Sequence, residues 1–151
     1  HYVSTQVPEK DFIFHDGFCH VHKSIEKANV LAAKEAHPDA LVLTHPECTE
    51  DVLEISDFIG STSEIIEYAT KSNQKTFIIC TEMGIFYELG QKNPDKKFYS
   101  VGHRQFCPNM KRITLDKVLS ALQTLTPEMA LSKELSKKAN LPLSRMLELA
   151  K

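Results

Sequence analysis

Four short runs fix most of what this chain can fold into: Ala40-Leu41-Val42-Leu43-Thr44, Asp57-Phe58-Ile59-Gly60, Thr76-Phe77-Ile78-Ile79-Cys80 and Lys97-Phe98-Tyr99-Ser100. The first is apolar throughout rather than alternating, as strands covered on both faces are. Between the runs apolar residues recur at helical spacing, with Ile65, Ile66 and Ala69 after the second and Ile85, Phe86 and Leu89 after the third. An earlier run at 11–14 is expected to add a short, buried strand. Strand and helix thus alternate over residues 11–100 with loops of a few residues, which predicts an α/β fold with a parallel sheet and right-handed crossovers.

Local signals place the boundaries. A helix is expected from Ser24, with Ile25, Ala28, Leu31 and Ala32 on its apolar face, and His37-Pro38 stops it because the residue before proline is pushed out of the α region. Thr49-Glu50-Asp51 opens the next helix with acids at its positive end, running to about Ser56. Ser61-Thr62 caps a third, and Asn93-Pro94 ends a fourth. Beyond the loop at 101–109 no strand is expected, only helices over 115–125, 127–138 and 143–150, with Pro127 suited to a first turn.

Composition narrows the function classes. At 151 residues with 42% hydrophobic and 25% charged content the chain has the make-up of a soluble globular domain. A formal net charge of −2 and the lack of a Lys/Arg run offer no field for nucleic acid, so no nucleic-acid partner is expected. No apolar run is long enough for a bilayer and no signal-peptide pattern opens the chain, so no membrane partner and a cytoplasmic location are expected. The polar opening His1-Tyr2-Val3-Ser4, without an initiator Met, leads us to expect a piece of a longer protein.

The chemistry-bearing residues gather where strands end. Phe12 to Phe14 runs into Gly17-Phe18-Cys19-His20-Val21-His22, and Leu41 to Thr44 runs into His45-Pro46-Glu47-Cys48. Ser61/Thr62 and Thr81/Glu82 follow two further strands, and His103, Arg104 and Cys107 follow the last. In a parallel sheet all these loops share one edge, where ligands bind and where helix N-termini favour anions. Cys80, inside an apolar run, reads as core, and Cys48 as structural. Cys19 and Cys107 sit in loops outside any apolar period, which packing does not explain. The spacing of a self-contained zinc site is absent, so any metal ligands must converge from separate loops.

Taken in order, Gly17-Phe18-Cys19-His20-Val21-His22, His45-Pro46-Glu47-Cys48, Gly60-Ser61-Thr62, Thr81-Glu82-Met83-Gly84-Ile85, Lys96-Lys97-Phe98-Tyr99 and Cys107-Pro108-Asn109-Met110-Lys111 resemble the quinolinate synthase family over roughly residues 10–120. The resemblance implies an enzyme of NAD biosynthesis that condenses iminoaspartate with dihydroxyacetone phosphate to quinolinate, losing phosphate and water. It implies three-layer αβα units with short parallel sheets, here the end of a second unit (1–22), a third unit (23–105), and a segment (106–151) holding a cluster cysteine and a helical tail that packs on a first unit absent from this chain. It implies a 4Fe-4S cluster with Cys19 and Cys107 as two ligands and a third outside this chain, its open iron acting as a Lewis acid. Substrate contacts carried over are His45, Pro46, Glu47, Ser61 and Thr62. His22 lines the same cavity, Glu47 with His22 or His45 is suited to moving protons, and L-aspartate oxidase is the implied functional partner. The chain alone is expected to be inactive.

Two other classes account for parts of the pattern. A small α/β binding domain for a phosphorylated or dicarboxylate metabolite explains the helix starts but not the loop positions of Cys19 and Cys107. A cysteine-nucleophile hydrolase would use Cys19 or Cys48 beside a histidine, yet Pro46-Glu47-Cys48-Thr49 is not a nucleophile elbow.

Overall fold

The computed structural model describes residues 1–150, and of His103 only the backbone. The chain divides into two compact units, His1–Pro108 and Asn109–Lys151, so Cys107 belongs with the sheet.

The first unit holds a four-stranded parallel sheet in the order β2-β1-β3-β4, with β1 Leu41–Thr44, β2 Phe58–Ile59, β3 Thr76–Cys80 and β4 Lys97–Ser100. Register sets Leu43 against Phe58 and Ile79, and Phe77 against Phe98. Successive side chains point to opposite faces, and that alternation builds two cores from the same strands. Val42, Ile78 and Cys80 pack with Ile25, Val30 and Val52 on one face. Leu43, Phe77 and Ile79 pack with Ile65, Ile66, Ala69, Ile85 and Leu89 on the other. The first face is covered by α3 (Lys27–Ala36) and α4 (Glu50–Leu53), the second by α5 (Thr62–Lys71) and α6 (Ile85–Lys92). This is the three-layer α/β arrangement expected. Both faces are covered, so β1 and β3 are continuous apolar runs apart from Thr44 and Thr76 at their ends.

Several expectations are corrected. Residues 11–14 form no strand, and Ile13 and Phe14 are exposed. A strand needs a ladder partner, and both outer strands, β2 and β4, leave these residues unpaired. The helix expected from Ser24 begins at Lys27. Ser24 instead closes a single turn, α2 (His20–Lys23), its hydroxyl donating to the Val21 carbonyl at 2.8 Å. Within it Val30 and Ala33 face the core while Leu31 is exposed. The helix at Glu50 ends at Leu53 rather than Ser56, whose hydroxyl bonds Thr44 Oγ1 at 2.6 Å and the Val52 carbonyl at 2.8 Å.

The second unit carries α7 (Leu115–Thr124) and α8 (Lys133–Leu149), neither of which buries a residue. Pro127 lies in neither. The two helices expected on either side of Pro142 are one, with that proline inside it. Pro142 gives up its own N–H bond and crowds the carbonyl four residues back, yet Leu143, Met146 and Leu147 continue the helical period beyond it. Among the described residues no helix is long and apolar enough to cross a membrane.

Candidate functional site

Parallel strands bring their C-terminal loops to one edge, and α2 sits beside them. The loop after β1 is tied to β3 by the His45 N–H, which donates to the Cys80 carbonyl at 3.1 Å, and turns through the Cys48 N–H to the His45 carbonyl at 3.0 Å. That turn aims Glu47 at His22. His22 Nδ1 lies 3.0 Å from Glu47 Oε2, and His22 Nε2 lies 2.9 Å from Thr81 Oγ1. An ionised carboxylate only accepts, so Nδ1 carries the proton and Nε2 accepts from the Thr81 hydroxyl. The ring is buried and fixed from both sides, whereas the Glu47 side chain is 56% exposed. Orientation therefore falls to His22 and Thr81, and Glu47 is the group offered to solvent or a ligand.

His45 stacks on His22 with ring centroids 4.0 Å apart and planes 5° from parallel. Its Nδ1 accepts from the Glu47 N–H at 3.2 Å, which requires that nitrogen to be bare. Loss of water holds the His45 imidazole below its ordinary value of 6.5; repulsion from His22 adds to this and attraction to Glu47 opposes it. The unfolded chain then takes up a proton below about 6.5 that the folded chain refuses, so His45's contribution is whole above that value and is lost as pH falls toward the lowered one. Denaturation midpoints are expected to drop over that window, and less steeply in His45→Asn. Equal acid sensitivity of the two proteins would count against it.

Cys19 caps α2 at its N-terminal end, half-buried. Ligand atoms of Cys19, His22 and Glu47 lie within 4.8 Å of one another, a group able to hold a metal ion. Cys107 is not part of that group. It is buried in the loop after β4, where its N–H donates to Glu82 Oε1 at 3.2 Å. All four cysteines are free thiols. Burial pushes the Cys48 thiol far up, and Cys48 Sγ donates to the Cys80 carbonyl at 3.5 Å. Burial likewise pushes Cys80 up to about 12. These two are packing thiols, and Cys48 is a poor nucleophile.

A cavity of about 650 Å³ opens beside the cluster, lined by Tyr2, Thr5, Phe18, Cys19, Pro46, Glu47 and Ile59 among others. Pro46 is half-buried on its wall. Ser61 and Thr62 are exposed at the start of α5 and do not line it. There the Ser61 N–H donates to Glu64 Oε2 at 2.7 Å and Ser61 Oγ accepts from the Glu64 N–H at 3.4 Å, a capping box. The Ser61 side chain and, after it, the Ser61 N–H, both hydrogen-bonded to the Glu64 carboxylate, hold that carboxyl below its ordinary range. His20 is exposed, and the His103 side chain lies outside the described residues.

Gln105 has no sequence signal and a central place. Buried, it donates from Nε2 to the carbonyls of Ile79 at 2.6 Å and Thr81 at 2.7 Å, and accepts from the Val101 N–H at 2.7 Å. One amide thus fastens the loop that carries Cys107 to the strand end that carries Thr81. A glutamine in a polar loop looks ordinary in one dimension, and only its burial marks it.

Fold and site define an α/β protein with a thiol, imidazole and carboxylate grouped at the C-terminal edge of a parallel sheet. The family model described as quinolinate synthetase A protein (NadA) matches residues 1–148. The chain is 51% identical over 149 residues to a quinolinate synthase of Caldicellulosiruptor saccharolyticus, covering 99% of this chain and 49% of that protein. It is 44% identical over 148 residues to one of Thermodesulfovibrio yellowstonii, with 98% and 49% covered. A third, of Aquifex aeolicus, is 41% identical over 154 residues, with 99% and 48% covered. The chain belongs to the quinolinate synthase family. It spans about half the length of the curated relatives it matches.

Proposed function

We propose that this chain is part of a quinolinate synthase, an enzyme that condenses iminoaspartate with dihydroxyacetone phosphate in NAD biosynthesis. Membership of the family supports this, and the observation that carries it is the cavity-facing Glu47 carboxylate, fixed 3.0 Å from a buried His22. Such a carboxylate can take a proton from a substrate N–H or C–H and return it to a departing hydroxyl. His22 Nδ1–H holds the carboxylate oxygen while it does so, and Thr81 Oγ keeps the ring from turning. Neutral His45 keeps a proton on Nε2, available to a substrate carboxylate. Pro46 shapes the wall, and Ser61 with Thr62 offers hydroxyls to an anionic group at the start of α5.

The donors fit a 4Fe-4S cluster in part. Cys19 and Cys107 are free thiols in separate loops of the sheet unit, while Cys48 and Cys80 are committed to packing. Such clusters normally take cysteines in threes or fours, so a third ligand comes from outside this chain. Bound there, the cluster would supply a Lewis-acidic iron. The helical segment from 106 onward packs on the family's first α/β unit in this proposal. The enzyme is cytoplasmic, with L-aspartate oxidase supplying iminoaspartate.

The test is anaerobic. With iron, sulfide and the remaining part of the enzyme, this chain is expected to yield quinolinate and a brown protein, and alone to yield none. Cys19→Ala and Cys107→Ala are each expected to lose the intact cluster by iron content and visible absorption. A full cluster in either variant refutes that ligand, and quinolinate from this chain alone refutes the shared site.

A further inference from the structure

Cys19, His22 and Glu47 form a constellation that does not need Cys107. Their ligand atoms already lie within 4.8 Å of one another. They offer a thiolate, an imidazole and a carboxylate, the mixed set that divalent ions of borderline softness take, with a fourth position left open. Two of the three can adjust: Glu47 is exposed and Cys19 half-buried, so side-chain rotation suffices to close them on one ion. The third is held in advance.

We infer that Cys19 Sγ, His22 Nδ1 and a Glu47 oxygen form a mononuclear site for a divalent ion such as Zn²⁺ that shares Cys19 with the proposed cluster but does not use Cys107. Thr81 is the second observation behind it. A metal-binding histidine presents one nitrogen to the ion and donates from the other to a fixed acceptor. His22 Nδ1 faces Glu47 at 3.0 Å, while Nε2 sits 2.9 Å from the buried Thr81 hydroxyl. A hydroxyl both donates and accepts. Without metal it donates to a bare Nε2. With metal on Nδ1 the ring proton moves to Nε2 and the same hydroxyl can accept it, so the imidazole keeps a partner in either state.

The occupancy is exclusive of the cluster, since both claim Cys19. Zinc at this site would therefore block cluster assembly and withdraw Glu47 and His22 from proton transfer, a consequence that rests on the proposed function; the binding itself does not.

Metal-free protein, handled anaerobically, is titrated with Zn²⁺ against a chromophoric chelator, and with Co²⁺ to read thiolate ligation from its charge-transfer band. One equivalent is expected to bind. Cys19→Ser is expected to abolish the thiolate band, and Glu47→Gln to weaken binding by on the order of 100-fold. Thr81→Val is expected to weaken it about 10- to 100-fold, with Thr81→Ser restoring it. Cys107→Ser is expected to bind Zn²⁺ as the parent does while losing the cluster, which separates the two sites. Absence of a stoichiometric ion, a thiolate band that survives Cys19→Ser, or loss of zinc in Cys107→Ser would each overturn the assignment. If Cys107→Ser instead binds zinc when metal-free and, in a separate reconstitution, still assembles the cluster, the site stands and the cluster ligand falls.

Discussion

Replacing Glu47 by Gln in the assembled enzyme is expected to lower kcat by about 10²- to 10⁴-fold, the range for losing a positioned acid or base. KM is expected to change much less. The amide keeps the size of the side chain and can still meet His22, but it cannot take a proton. It also alters its neighbour: an amide nitrogen turned toward His22 Nδ1 forces the ring proton to Nε2, where the Thr81 hydroxyl accepts it. Stability is expected to stay near the parent's, because the Glu47 side chain is 56% exposed. A kcat within tenfold of the parent, measured on protein with full iron content, would remove Glu47 from the proton path. His22→Asn serves as the comparison. If Glu47 moves the proton and His22 only orients it, the asparagine variant loses less.

Gln105→Leu has the larger effect on the fold. The leucine fills the space but leaves the Ile79 and Thr81 carbonyls and the Val101 N–H without the partner they have now. Each buried polar group left bare costs about 1–3 kcal/mol, against a total stability of about 5–15 kcal/mol for a domain. The denaturant midpoint is expected to fall by several kcal/mol equivalent, with the loop over 101–107 the first to exchange its amides. Gln105→Glu keeps the shape, but its ionised form cannot donate to either carbonyl, so it is expected to be harmed above its titration and partly rescued in acid. A loss below about 1 kcal/mol in the leucine variant would show that backbone packing alone holds the loop.

The two substitutions act at opposite ends of one connected network. Glu47 meets His22, His22 meets Thr81, and the Thr81 carbonyl is held by Gln105, two residues before Cys107. Loosening Gln105 therefore releases both a proposed cluster ligand and the support of the imidazole. This gives the Gln105 variants a second readout, since a fall in kcat larger than the loss of folded protein would trace to Thr81 and His22 rather than to unfolding.

The sequence alone determined the layered α/β fold, because apolar runs such as Thr76–Cys80 report double coverage by their composition and leave a parallel sheet as the economical solution. It also located His45, Glu47 and Cys107 in loops that follow strands, since those positions follow from where the runs stop, whereas the strand expected at 11–14 ahead of Cys19 and His22 does not form, and those two instead cap and line a short helix. It did not tell that residues 11–14 lack a ladder partner, nor that Ser24 closes one helix rather than opening the next. Both depend on what lies alongside, and a local pattern carries no record of neighbours distant in the chain. Only the tertiary structure decided that Gln105 belongs to the site, and that His22 is pinned between Glu47 and Thr81. A polar residue's role is set by burial and by the partner it meets across the fold, and those are settled when the strands align, not when the residues are written in order.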